Sequence, residues 1–306
     1  MSGHFLTELA PGKLWVLQNT YPLDGRASSY PVSARGFTVS NCYLLKEDDG
    51  AIMLDSGYPV HAPSILKQLG SVLTPEHPLS MFPLRMNEFM SVCNVNAIAE
   101  HFNVVECYSP VPEVHLWVDF SAQTPSGNGK SHAGNGAGAN GSSASLGGLK
   151  TTLVSGAVQQ LQVGKTGKRP VDAIVAPIRL IGTRWSYDYA TKTLFSSDMF
   201  THVWRDDEEG PWVLQDGEDR STYEHVRSFL LNTRYWWLEG ANTDRLRKGL
   251  AALFEKYDVE TLAPGYGCIL RGRKNVEREY QILDDVLRRL SHKVVAPKYV
   301  PLGLER

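Results

Sequence analysis

The stretch VSNCYLLKEDDGAIMLDSG, residues 39–57, decides how the chain is read. Two apolar runs, 39–45 and 51–54, flank the acidic turn KEDDG, which ends in Gly50. Apolar runs joined by such a turn are the pattern of a β-hairpin. The second run leads into Asp55-Ser56-Gly57 and then Tyr58-Pro59.

Outward from this hairpin, KLWVLQ (13–18) reads as a short strand. PSILKQL (63–69) reads as a helix, with Pro63 in its first turn and Gly70 past its end. PLRMNEFM (83–90) reads as a short connection, NVNAIAEHF (94–102) as a second helix and 104–107 as a strand. Strand signals return at 151–154, 158–163 and 171–176. TRWSYDYATKTLFSSDMF (183–200) reads as another hairpin, with Trp185, Tyr187 and Tyr189 alternating before a turn at ATK. Helical patterns fill 221–232, 242–257 and 274–290, and VETLAPGYG (259–267) reads as a strand opening into a Gly-rich turn. Strand-rich halves each followed by helices predict sheets covered by helices.

The chain has 306 residues, 42% hydrophobic and 21% charged, with a net charge of −2. That length allows a sizeable core. The charge balance argues against nucleic acid and anionic membranes as partners, since both favour a concentrated basic patch. No apolar run approaches the roughly 20 residues of a spanning helix. The start, MSGHFLTELAPGK, lacks a basic segment followed by an apolar core, so a cytoplasmic location is expected. Cys42, Cys93, Cys107 and Cys268 are scattered without a C-x-x-C pair, which predicts reduced, buried thiols. Residues 121–149 are almost all Gly, Ser, Ala and Asn and read as a flexible insertion. Its GNGKS is no phosphate loop, because Thr124 stands where the motif needs Gly and no strand precedes it.

NCYLL…AIMLDSG resembles the opening hairpin of the metallo-β-lactamase fold, in which an aspartate closes the second strand. TRWSYDYATKTLFSSDMF resembles its later hairpin, whose terminal aspartate bridges two metals, and VETLAPGYGCILRG (259–272) resembles the segment ending in the last metal-binding histidine. Residues 230–267 look most like the flavodiiron, oxygen-binding di-iron branch. The resemblance implies an α/β fold, a four-layer αββα sandwich, as one metallo-β-lactamase-like domain over 1–306.

The branch carries its metal ligands in H-x-E-x-D-H. The matching register puts Arg85 at the first His, Asn87 at the Glu, Phe89 at the Asp and Met90 at the second His. Arg179 takes the next His position, Asp198 keeps the bridging Asp, and Tyr266 takes the last His position. Six of these seven positions are changed. Arginine has no lone pair to offer a metal. The resemblance therefore implies a stand-alone pseudoenzyme with no di-iron cofactor and no flavin domain, any electron donor being a separate protein. Asp55 is expected to support the site by accepting backbone hydrogen bonds.

Two readings of the arginines are open. Each pairs with Asp198 and closes the pocket, or Arg85 and Arg179, with Asn87 and Tyr266, hold a small carboxylate or phosphate. Two rival functions are open as well. One is an oxidoreductase or hydrolase with a rearranged site at Asp198, Glu88 and His202. The other is an inactive subunit, paired with itself or with an intact paralogue through RYWWLE (234–239); Trp236-Trp237 reads equally as core packing.

Overall fold

The computed structural model describes residues 3–86, 88–112, 149–180, 182–291 and 293. Strands β1 (His4–Ala10), β2 (Leu14–Pro22), β3 (Phe37–Glu47), β4 (Gly50–Leu54), β5 (Leu79–Phe82), β6 (Val104–Ser109) and β7 (Thr151–Leu153) lie side by side in that order. The second sheet takes β8 (Val158–Val163), β9 (Arg169–Val175), β10 (Arg184–Asp188), β11 (Thr193–Ser197), β12 (Val213–Leu214), β13 (Thr261–Pro264) and β14 (Ile269–Arg271). Its order is β12-β14-β13-β11-β10-β9-β8. The helices are α1 (Ala62–Gly70), α2 (Phe89–Val92), α3 (Val95–His101), α4 (Tyr223–Leu231), α5 (Asp244–Lys256) and α6 (Arg273–Leu290).

The quoted stretch is the β3–β4 hairpin, closed by Asp48-Asp49, with Glu47 opposite Gly50. Its strands are buried on both faces, which is why they read as continuous apolar runs. Side chains alternate across a strand, so successive residues join different layers. Tyr43, Leu45, Ile52 and Leu54 pack with Phe195, Ala263 and Ile269 of the second sheet. Cys42, Leu44, Ala51 and Met53 pack with Ile65 and Leu69 of α1 and Ile98 of α3. The second sheet's outer face places Trp185, Tyr187 and Leu262 against Phe229, Leu253, Leu283 and Val286 from α4, α5 and α6. Each fully buried Leu adds about 1.5–3 kcal/mol over an exposed one. The result is helix, sheet, sheet, helix, the four-layer order expected from the resemblance.

One buried ion pair ties the sheets together. Arg169 donates to both oxygens of Asp188, at 2.6 and 3.1 Å, and to two carbonyls of the first sheet's side, Lys13 just before β2 and Lys46 in β3. All four cysteines are buried and free.

Several local expectations change. β1, β5, β12 and β14 have no counterpart in the periodicity reading; β5, β12 and β14 are only two to four residues long, too short to show a period, and β1 is a half-exposed edge strand. Residues 89–92 form a helical turn, not connecting loop. Trp236 and Trp237 are 68% and 37% exposed, so the pair is not core. The expected insertion lies outside the described residues except for Leu149, which packs beside the α1 and α3 layer. Among the described residues no helix is long and apolar enough to cross a membrane.

Candidate functional site

Asp55, Arg85, Asp198 and Tyr266 meet at one end of the sandwich, where β4, β5, β11 and β13 stop. Asp55 follows β4 with φ +62°, a left-handed conformation that Asp tolerates better than most residues. Its Oδ1 accepts the Leu84 N–H at 2.8 Å and its Oδ2 accepts from Arg85 Nη2 at 3.2 Å. This aspartate therefore accepts a backbone bond, as expected, and also holds the neighbouring guanidinium. Asn94 secures the same corner by donating to the carbonyls of Ser56, Gly57 and Tyr58 at 2.9–3.0 Å.

Arg85 is 0% exposed. Its Nη1 donates to Asp198 Oδ1, its Nε to Ser91 Oγ at 3.3 Å, and its guanidinium lies 4.7 Å from the Tyr266 ring centre. Burial works against this charge, but Asp198, Tyr266 and Asp55 outweigh it and hold Arg85 protonated well above its ordinary range. For Asp198 the balance runs the other way. Burial pushes its carboxyl up, and Arg85 offsets only part of that. Its Oδ2 is buried without a hydrogen-bond partner. It lines a cavity of about 10 Å³ with Arg234, Tyr235 and Tyr266, which is at the lower limit for a single water.

The loop after β13 is fixed from β3. Asn41 donates to the carbonyls of Pro264 and Gly267 at 2.9 Å, and Tyr43 donates to Pro264 O at 2.6 Å. Thus NCYLL, which decides the fold, also positions Tyr266. A Cβ on Gly265 would stand 2.6 Å from Arg85 Nη2 and 3.1 Å from Ser197 O, so the close approach requires glycine. Tyr266 donates its hydroxyl to Glu88 Oε2 at 3.1 Å and meets the Tyr58 hydroxyl at 3.1 Å. Burial raises the Tyr266 phenol well above its ordinary value, so it is a hydrogen-bond donor and not a base. Glu88 Oε1 is taken by Arg234, whose Nη2 reaches Ser28 Oγ at 2.7 Å.

The structure thus joins Arg85, Asp198 and Tyr266. Arg179 is a correction: it is exposed, and its Nη1 donates to Ala176 O at 2.9 Å, three residues back. An exposed guanidinium keeps its hydration and gains little from a distant buried carboxylate. Asn87 lies outside the described residues. The rearranged site does not assemble either. Asp198 is bound to Arg85, Glu88 to Arg234 and Tyr266, and His202 to Ser221 Oγ at 3.0 Å and Glu279 Oε1 at 3.1 Å. Sequence reasoning missed Arg234, Tyr58 and Gly265. The glycine immediately before Tyr266 was the available signal, since a close approach at that point needs one.

A pair of metal ions does not fit these residues. The pocket's centre holds a guanidinium, and among the described residues no group of three or more His, Cys, Asp or Glu is placed to hold a metal ion.

No known sequence family and no curated protein sequence matches the chain. Solved structures do. Rubredoxin oxygen:oxidoreductase from Desulfovibrio gigas superposes with a TM-score of 0.63 at 15% identity, covering 93% of this chain and 62% of that one. The flavodiiron protein from Giardia intestinalis gives 0.61 at 13% identity, covering 93% and 60%. A fragment, 1–254, of a putative diflavin flavoprotein from Nostoc sp. PCC 7120 gives 0.65 at 14% identity, covering 95% and 97%. The chain spans about 62% of the length of the Desulfovibrio oxidoreductase. What it shares with these proteins is the fold of their core, the metallo-β-lactamase fold.

Proposed function

We propose that this chain is a non-catalytic protein of flavodiiron-like fold, acting by binding rather than by metal chemistry. One observation carries the reading: Arg85, fully buried, pairs with Asp198 and Asp55 where the resemblance places the metals. A cation fixed there by two carboxylates repels divalent ions and uses the carboxylates that would attract them. The same geometry disfavours an anion in that pocket. Two carboxylates already balance one guanidinium, and Arg179 does not contribute a second.

The test is the metal content of protein expressed in iron- and zinc-rich medium, with dioxygen consumption measured under a supplied reductant. The expected result is metal well below one per chain and consumption at background. Near-stoichiometric metal that Asp198→Ala removes overturns the reading.

A second reading has its own support. Trp236 at 68% exposure and Trp237 at 37% form an aromatic surface of the kind interfaces favour. On this reading the chain pairs with itself or with an intact paralogue. Co-purification from the native host, with and without Trp236→Ser, tests it; unchanged recovery of a partner counts against it.

A further inference from the structure

Beside the closed pocket, separated from it by the Tyr58–Tyr266 hydroxyl contact, lies an open cleft of about 490 Å³. That volume suits a small organic molecule. Its apolar walls include Tyr21, Tyr58 and Phe89; the two tyrosine rings meet edge to face at 5.7 Å, and Phe89 is 57% exposed. Its charged groups are two arginine–carboxylate pairs, Arg234 with Glu88 and Arg26 with Asp24.

The pairs are not symmetrical in what they leave accessible. Both oxygens of Glu88 are committed inward, one to Arg234 and one to the Tyr266 hydroxyl, and its side chain is 11% exposed. Arg234 uses Nη1 on Glu88 and Nη2 on Ser28, which leaves further N–H groups among its five donors. Arg26 is 84% and Asp24 38% exposed, and both Asp24 oxygens accept from Arg26. Each carboxylate has both oxygens engaged while each guanidinium keeps N–H groups to spare, so what is left for a visitor is a set of charged donors next to aromatic walls.

From this we infer that the cleft binds a small organic monocarboxylate, its apolar body against Tyr21, Tyr58 and Phe89 and its carboxylate on Arg234. Guanidinium presents paired N–H donors that match a carboxylate. Aromatic walls supply the contact area that a bare inorganic anion cannot use. This goes beyond the reading of Arg85 as a plug, and it stands whether or not that pocket is silent, because Arg85 lines no part of the cleft.

Isothermal titration calorimetry of the full chain with benzoate tests it, with benzyl alcohol, benzylamine and acetate as comparison probes. Benzoate is expected to bind saturably and one to one, with each comparison probe weaker by about tenfold or more, a difference of about 1.4 kcal/mol. Arg234→Gln should weaken benzoate by a similar factor. Phe89→Ala, at an exposed position that does not threaten folding, should erase the advantage of benzoate over acetate. Absent saturation with benzoate, equal binding of benzylamine, or indifference to both substitutions overturns the proposal. Metal content is expected to be unchanged in both variants, so failure here is distinguishable from failure of the non-catalytic reading.

Discussion

Replacing Arg85 with Met keeps most of the side-chain volume and removes the cation that Asp55 and Asp198 share. Both carboxylates are buried, at 2% and 7% exposure. Removing one partner of a buried ion pair costs about 3–5 kcal/mol, because the other charge stays desolvated and unpaired. At about 2–4 °C per kcal/mol for a large domain, Tm at neutral pH should fall by about 6–20 °C. The pH dependence is diagnostic. Burial already raises the Asp198 carboxyl and Arg85 is what lowers it, so losing Arg85 raises it further. A carboxyl raised in the folded state contributes stability below its unfolded value, near pH 4, and loses it as pH rises through the folded value. The deficit of Arg85→Met should therefore be largest at neutral and alkaline pH and narrow on acidification. Adding Asp198→Asn removes one stranded charge and should recover about half of the loss, by the same buried-charge estimate. Calorimetric unfolding of the three proteins across this range is the assay. A deficit under about 1 kcal/mol, the scale of an exposed pair, refutes the buried ion-pair account. So does a pH-independent deficit, or a double variant no better than the single one.

Gly265→Ala should destabilise by about 1–3 kcal/mol in urea unfolding, the range for overpacking, since its Cβ would lie 2.6 Å from Arg85 Nη2. In the Arg85→Met background the penalty should shrink, leaving the contact with Ser197 O. Burial lowers His202, but Glu279 and Asp219 outweigh it and hold the imidazole above its ordinary value. That contribution is fully present below the unfolded pKa, about 6.5, and lost as pH rises through the folded value, so stability should decline on the alkaline side. Glu279→Gln should flatten this decline, read from denaturation midpoints against pH; an unchanged slope excludes the pair as its source. Trp236→Ala should change monomer stability by no more than about 0.5 kcal/mol, whereas Trp185→Ala, at 0% exposure, should cost about 3–5 kcal/mol in chemical denaturation.

The sequence alone determined the layers. Strands buried on both faces must be apolar throughout, so β3 and β4 were readable as core strands, and β10 and β11 as a second hairpin. It also placed Asp198 and Tyr266 just past strands that were legible, whereas Arg85 was reached only through the register of the family's ligand motif, because the four-residue β5 before it shows too little pattern to read. Only the tertiary structure decided their partners. An arginine side chain is long enough to pair in several directions, and nothing local favours one of them. Arg85 turns inward because Asp55, Asp198 and Tyr266 converge on it and Gly265 leaves it room. Arg179, read from its spacing to Asp198, turns to its own Ala176 carbonyl. Arg234, more than thirty residues past Asp198 in the chain, reaches Glu88 only because α4 and the turn after it fold back over the site. Side-chain periodicity reports which face is buried; which charges meet there depends on chain segments far apart in sequence.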